Sequence, residues 1–314
     1  MVPEKKPKSV KRKFIRRIKY SLIYYAVRFF IFFSHLLPRK VWINLLGFLG
    51  GLSYHFATKS RKRTIEHLGL AFAKEKSIKE ILALSKETYK MLGKNAGDIL
   101  RATTISTRKE LDKILVSHGF DHFEMASAKG KGVIFLTCHL GAFDLQVINY
   151  TMHGLKPLII GTVLKDPRLN QLLWEQRNAN GAVAIERGKE TIRLVKTLKT
   201  GGCLAILIDQ DTKVKSRFVD FFGMPAATPV GAAIFAMKTQ AAVVPTYIYL
   251  GEDNMHHMHF CEEIPLVLTG DEEADMITNT RNYTKFIEDR IREHPSQWVW
   301  MHRRWRTRPG QEIQ

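Results

Sequence analysis

Two hydrophobic patterns divide the chain. From Thr64 to about Leu115, apolar residues such as Ile81, Leu82, Leu84 and Leu92 recur at helical spacing among Lys and Glu, which predicts amphipathic helices. From Gly132 onward, short β-branched apolar runs alternate with helical stretches. Residues 133–136, 158–163, 181–185, 203–208 and 243–250 read as strands. Helices are predicted from near Asp144, from Asp166-Pro167, over 191–198 and over 232–238. This alternation predicts an α/β domain with a largely parallel mixed sheet flanked by helices. The segment 218–231 reads as a loop between elements, and Met255-His256-His257-Met258-His259 as an exposed strand or hairpin edge.

The first 55 residues depart from both patterns. Lys5, Lys6, Lys11-Arg12-Lys13, Arg16-Arg17 and Lys19 precede an almost wholly apolar stretch, 20–37, whose one permanent charge is Arg28. A mid-segment arginine costs about 2.5–3.5 kcal/mol on insertion scales unless it snorkels or is paired. Both a tilted single anchor, which would be a transmembrane helix, and a helix embedded from one face fit this stretch. Residues 41–54 form a second apolar run, with glycines at 47, 50 and 51, too short and flexible for a span and suited to a membrane interface. Two parts follow: 1–55, a basic tail with a membrane-anchoring or interfacial segment, and 56–314, the α/β domain.

In open α/β sheets the ligand crevice lies beyond the carboxyl ends of the strands. His139, Arg187 and Asp209 each fall just past a predicted strand end, so they can share one crevice. His139 sits in the turn of GVIFLTCHLGAFDL, five residues before Asp144. A strand-to-helix turn can bring such a pair together, where a continuous helix would set them well round its cylinder. A carboxylate on one imidazole nitrogen fixes the tautomer and leaves the other free as a general base. The plainer alternative is a satisfied histidine at a strand end. His257 and Glu262 repeat the spacing without a glycine turn, so spacing alone does not decide.

Composition narrows the partners. A formal net charge of +19 over 314 residues calls for nucleic acid, anionic lipid or an acidic carrier protein. Cys138, Cys203 and Cys261 are widely spaced, which indicates neither a disulfide framework nor a zinc site and fits a reducing, cytosol-facing compartment. The histidines of 255–259 lack a carboxylate or cysteine at metal-ligand spacing, so no metal is expected. Phe221, Phe222 and Met224 are candidates for an apolar slot holding an acyl chain. Trp298, Trp300 and Trp305, interleaved with Arg303, Arg304, Arg306 and Arg308, suit a lipid-headgroup interface.

Four blocks together resemble the bacterial lipid A biosynthesis acyltransferases, the late lauroyl- and myristoyl-transferase family related to the glycerolipid (lysophospholipid) acyltransferases. They are TCHLGAFDL at 137–145, RNANGAVAIERGK at 177–189, GGCLAILIDQD at 201–211 with the following FFGMPAATPVG, and HPSQWVWMHRRWRTRP at 294–309. The resemblance implies a glycerolipid-acyltransferase-like fold in 56–314 and a membrane-associated O-acyltransferase at the bacterial inner membrane, its catalytic domain facing the cytosol. A fatty acyl group would pass from a thioester, expected on acidic acyl carrier protein, to a hydroxyl of an anionic lipid A precursor, with no cofactor.

The family's general base falls on His139 and its orienting acid on Asp144, where many lipid A members carry Glu. Its further site residues fall on Arg187 and on Asp209 or Asp211, and Arg177 opens the second block. Arg187 or backbone N–H groups could hold the oxyanion or an acceptor phosphate. A lysophospholipid or other glycolipid acceptor is the enzymatic alternative, and a non-enzymatic membrane or nucleic-acid binder the rival class.

Overall fold

Four helices lead into the sheet: α1 (Val10–Leu36), α2 (Arg39–Phe56), α3 (Thr58–Phe72) and α4 (Ile78–Arg101). The computed structural model describes residues 10–178, 181–311 and 313, with side chains from residue 15 onward. The basic residues at 5, 6 and 11–13 lie, in whole or in their side chains, outside the described residues. A capping box starts α4: Ser77 accepts from the Glu80 backbone N–H, and Glu80 reaches back to the Ser77 N–H. The second apolar run forms a continuous helix, α2. A Cβ on Gly50 would strike the Tyr89 carbonyl, and one on Gly93 the Leu46 carbonyl, so these glycines let α2 and α4 pack backbone to backbone. No helix among the described residues is long and apolar enough to cross a membrane, so the transmembrane alternative for 20–37 finds no support.

The remaining chain runs α5 (Arg108–Leu111), β1 (Leu115–His118), α6 (Phe120–Ser127), β2 (Val133–Thr137), α7 (Leu145–Met152), β3 (Leu158–Gly161), α8 (Pro167–Asn178), β4 (Val183–Glu186), α9 (Thr191–Lys199) and β5 (Cys203–Leu207). After these come β6 (Ser216–Phe221), β7 (Met224–Pro229), α10 (Gly231–Thr239), β8 (Ala242–Leu250), β9 (His256–Phe260) and α11 (Glu272–Glu293). Seven strands form one sheet in the order β1-β9-β8-β2-β5-β3-β4, in which only β8 and β9 pair antiparallel. The α/β class with a mostly parallel mixed sheet is as the alternation predicts.

The central strand β2 is wholly buried because both of its faces are covered. Ile134 and Leu136 face one core with α9, α10, α11 and the C-terminal tryptophans, while Val133 and Phe135 face another with α6 and α7. Burying Phe135 contributes about 2–3 kcal/mol of transfer free energy, and it also stacks on Tyr150 with ring centroids 4.3 Å apart.

Three local expectations change. The expected loop over 218–231 is instead the β6–β7 hairpin, turning at Phe222-Gly223. The expected exposed edge at 255–259 is an interior strand, because β1 pairs along it in parallel, and His256 and Met258 are buried beneath the helices, His256 against Asp98 of α4. The three tryptophans of the C-terminal segment do not face a headgroup layer: Trp298, Trp300, Trp305 and Arg304 are buried, while Arg303, Arg306 and Arg308 are exposed.

Candidate active site

The register of β2 against β5 positions the site. Thr137 pairs with Leu207, so His139 and Asp209, each two residues further on, emerge level with one another at the carboxyl ends of adjacent strands. Asp209 is buried and holds His139 twice. One carboxylate oxygen accepts from the His139 backbone N–H at 2.9 Å, and the other lies 2.8 Å from the ring Nδ1. The indole of Trp298 donates to Asp209 as well, at 2.8 Å. Burial pushes the Asp209 carboxyl up. The His139 charge and hydrogen bonds, with the Trp298 indole, outweigh that and hold it at about 2. With Asp209 ionised, His139 Nδ1 carries the proton and Nε2 is left as the acceptor.

The turn that carries His139 is shaped by close approach. Gly141 has φ 58°, and a Cβ there would collide with the Ile248 carbonyl of β8. Its N–H donates to the Gln297 carbonyl at 3.0 Å, and Leu140 bridges Trp298. The C-terminal segment is thereby clamped onto the turn and delivers the Trp298 indole to Asp209.

Asp144 is at the N-cap of α7 but makes no capping bond. Its carboxylate takes Arg177 of α8 instead, with Nε at 2.9 Å and Nη2 at 2.7 Å from the same oxygen. The structure thus brings His139 onto Asp209, and Asp144 onto Arg177. Asp211 faces away toward the C-terminus, where it accepts from Arg306, the Thr307 N–H and the Thr307 hydroxyl.

Arg187 follows β4, and among the described residues no carboxylate pairs with it. Burial lowers the pKa of its guanidinium, and the charge of Asp209 opposes that shift. It stands at a cavity of about 280 Å³ lined largely by apolar side chains, among them Ile160, Leu194, Ile206 and Phe235. Phe221 and Phe222 lie elsewhere, packed against Trp298, Trp300 and Trp305, with Met224 beside them. They fill the core rather than line an open slot.

Cys138 is buried, and burial raises its thiol well above the usual range, which leaves it protonated and poorly nucleophilic. Among the described residues no group of three or more His, Cys, Asp or Glu side chains is placed to hold a metal ion. One neighbour escaped the sequence reading. His302 lies within electrostatic reach of both His139 and Asp209, and burial pushes its imidazole down to about 4. Its only sequence signal is its place in the Trp/Arg block.

Comparison with known proteins identifies the family. The family model described as bacterial lipid A biosynthesis acyltransferase matches residues 10–307. A lipid A biosynthesis acyltransferase of Haemophilus influenzae is 27% identical over 90% of this chain and 87% of its own. A lipid A biosynthesis myristoyltransferase of Escherichia coli is 25% identical over 89% of this chain and 85% of its own. A phosphatidylinositol mannoside acyltransferase of Mycobacterium tuberculosis is 27% identical over 54% of each chain. The chain belongs to the bacterial lipid A biosynthesis acyltransferase family and is an acyltransferase acting on lipid substrates.

Proposed function

We propose that this acyltransferase moves a fatty acyl group from an acyl carrier protein thioester to a hydroxyl of a lipid A precursor, with His139 as general base. The observation that carries this reading is the His139–Asp209 contact at the mouth of the parallel strands. His139 Nε2 takes the proton of the acceptor hydroxyl as its oxygen attacks the thioester carbonyl. The tetrahedral intermediate then collapses, the C–S bond breaks, and the imidazolium returns the proton to the departing thiolate. Asp209 keeps the proton on Nδ1 and stabilises the imidazolium between the two steps. Asp209 thus takes the orienting part that the resemblance gave to Asp144, and Asp144 with Arg177 braces the turn.

Arg187, cationic and without a carboxylate partner among the described residues, is placed to hold the oxyanion or an acceptor phosphate, and the adjoining cavity suits the acyl chain. The membrane contact is made from one side. Leu22, Tyr25, Phe29, Phe32 and Leu36 of α1 and Phe48 and Phe56 of α2 are exposed large hydrophobics. With the basic N-terminal residues they suit docking on the anionic cytosolic leaflet of the inner membrane.

A second acceptor, a glycolipid other than a lipid A precursor, is favoured by Asp144, where many lipid A members carry Glu, and by the likeness to the mannoside acyltransferase. Purified enzyme given acyl carrier protein thioester should acylate a lipid A precursor, with coenzyme A thioester as the poorer donor. Transfer to lysophospholipid or a phosphatidylinositol mannoside, with none to the lipid A precursor, would overturn the acceptor assignment and leave the chemistry standing.

A further inference from the structure

A second feature stands apart from the acyl-transfer crevice, between α2 and α4. Where Gly50 and Gly93 bring the helices together they touch at the backbone, and beside that contact they leave a groove of about 370 Å³. One wall carries Lys86, Lys90 and Lys94, spaced four apart and therefore stacked along one face of α4. The other wall is α2, where Phe48 and Leu52 are exposed. Lys94 lies with its stem across Gly47: a Cβ there would stand 2.8 Å from Lys94 Cγ. The methylenes of Lys94 thus line the groove.

The charges in the groove are uneven. Glu87 pairs with Lys90 at 3.1 Å, while among the described residues no carboxylate pairs with Lys86 or Lys94. Burial, followed by the neighbouring Lys90, lowers the Lys94 ammonium below the usual lysine range, and the charge of Glu87, which is paired with Lys90, opposes that only in part. The apolar wall runs out onto the exposed Leu45, Leu49 and Phe56 of the same helix. An inorganic anion would satisfy the lysines and leave the apolar wall bare. A neutral lipid would cover the wall and leave the lysines unanswered.

We propose that the groove between α2 and α4 binds one molecule of an anionic membrane phospholipid, its headgroup phosphate between Lys86 and Lys94 and an acyl chain along Phe48 and Leu52. This goes beyond the acyl-transfer reading and does not depend on it. A bound lipid here would fix the orientation of the apolar face of α2 on the leaflet.

The test is native mass spectrometry of the full chain in non-ionic detergent, with phosphatidylglycerol or phosphatidylcholine of the same acyl chains added. One phosphatidylglycerol per chain should be retained in preference to phosphatidylcholine. Lys86→Gln/Lys94→Gln should weaken that retention by roughly thirtyfold, the worth of two charge contacts near a surface. Gly51→Trp, which plugs the groove without altering charge, should lower it as well. Lys199→Gln/Lys238→Gln, which removes equal charge from exposed positions of α9 and α10, should leave it unchanged, as should His139→Ala. Equal retention of the two lipids, equal loss in the two lysine pairs, or displacement of the lipid by millimolar inorganic phosphate would overturn the proposal. Circular dichroism melting of each variant separates lost binding from lost fold.

Discussion

Two histidines of this chain are each followed five residues on by an acid, and their surroundings could hardly differ more. His139 leaves the end of β2 and meets Asp209 of the adjacent strand end, a buried carboxylate held in place by Trp298. His257 lies within β9, 3.0 Å from His118 and 3.1 Å from the half-exposed Asp253, while its sequence partner Glu262 is exposed. Around it stack His259, Tyr247, Tyr249 and His294, with Arg290 also facing the group. Burial, followed by the neighbouring cations and imidazoles, pushes His259 and His294 down to about 4. One site gives a single imidazole a fixed proton and a free nitrogen. The other packs several imidazoles that are best kept neutral. The spacing from His to acid distinguishes neither, and the buried carboxylate on the neighbouring strand distinguishes both.

The sharpest way to break this contrast is to remove each ring in turn. His139→Ala should lower acyl transfer by about 10³-fold, within the range that a positioned general base supplies. His257→Ala should leave transfer near the unmodified rate, and the two are compared as initial rates with purified enzyme on one acceptor. Equal losses would erase the distinction.

Next in size is the Asp144–Arg177 pair, which ties the same turn to α8 and does not touch the base. Asp144→Asn should lower transfer by about tenfold and reduce the melting temperature, because it leaves the mostly buried Arg177 without its charge partner. Asp144→Glu should retain substantial activity. Total loss with Glu would mean that the carboxylate position at 144 is itself part of the chemistry.

The histidine stack predicts a smaller effect, on stability alone. The folded pKa values of His259 and His294 lie below the ordinary 6.5, so as pH falls the unfolded chain takes up these protons first. Their contribution is therefore fully present above about pH 6.5 and is lost progressively toward pH 4. His259→Gln/His294→Gln should flatten the fall of melting temperature across that window, and an unchanged slope would contradict it. The smallest effect is expected at Cys138. Cys138→Ser should leave the turn competent for transfer, because a buried, protonated thiol takes no part; loss of transfer in a variant that melts normally would count against that.

Much of the site was legible before the fold. The polar turn after 133–136, the helix beginning beside Asp144 and the charged residues at the strand ends all followed from hydrophobic period and turn chemistry. What the pattern could not supply was which strand lies beside β2. That is β5, three strands later in the chain, so the choice between Asp209 and Asp211 waited on the sheet order. The Trp/Arg block misled for a related reason. Alternating indoles and guanidinium groups suit a headgroup layer and a core equally, and what selects the core for Trp298 and Arg304 are partners far away in sequence: Asp209 for Trp298, and the Ala227 carbonyl and Thr228 hydroxyl for Arg304. β1 spans only Leu115–His118, too short to show a period, and without it β9 reads as an edge. The β6–β7 hairpin was hidden by its turn, which puts a non-glycine, Phe222, at φ 59°.

On the proposed mechanism Asp209, rather than Asp144, holds the proton on His139 during turnover. The direct test is the turnover number of Asp209→Asn at saturating donor and acceptor, with thermal melting as the check on folding. A loss of about 10²- to 10⁴-fold is expected, greater than that of Asp144→Asn, in a protein that still melts cooperatively. An Asp209→Asn enzyme that turns over at close to the unmodified rate would contradict it.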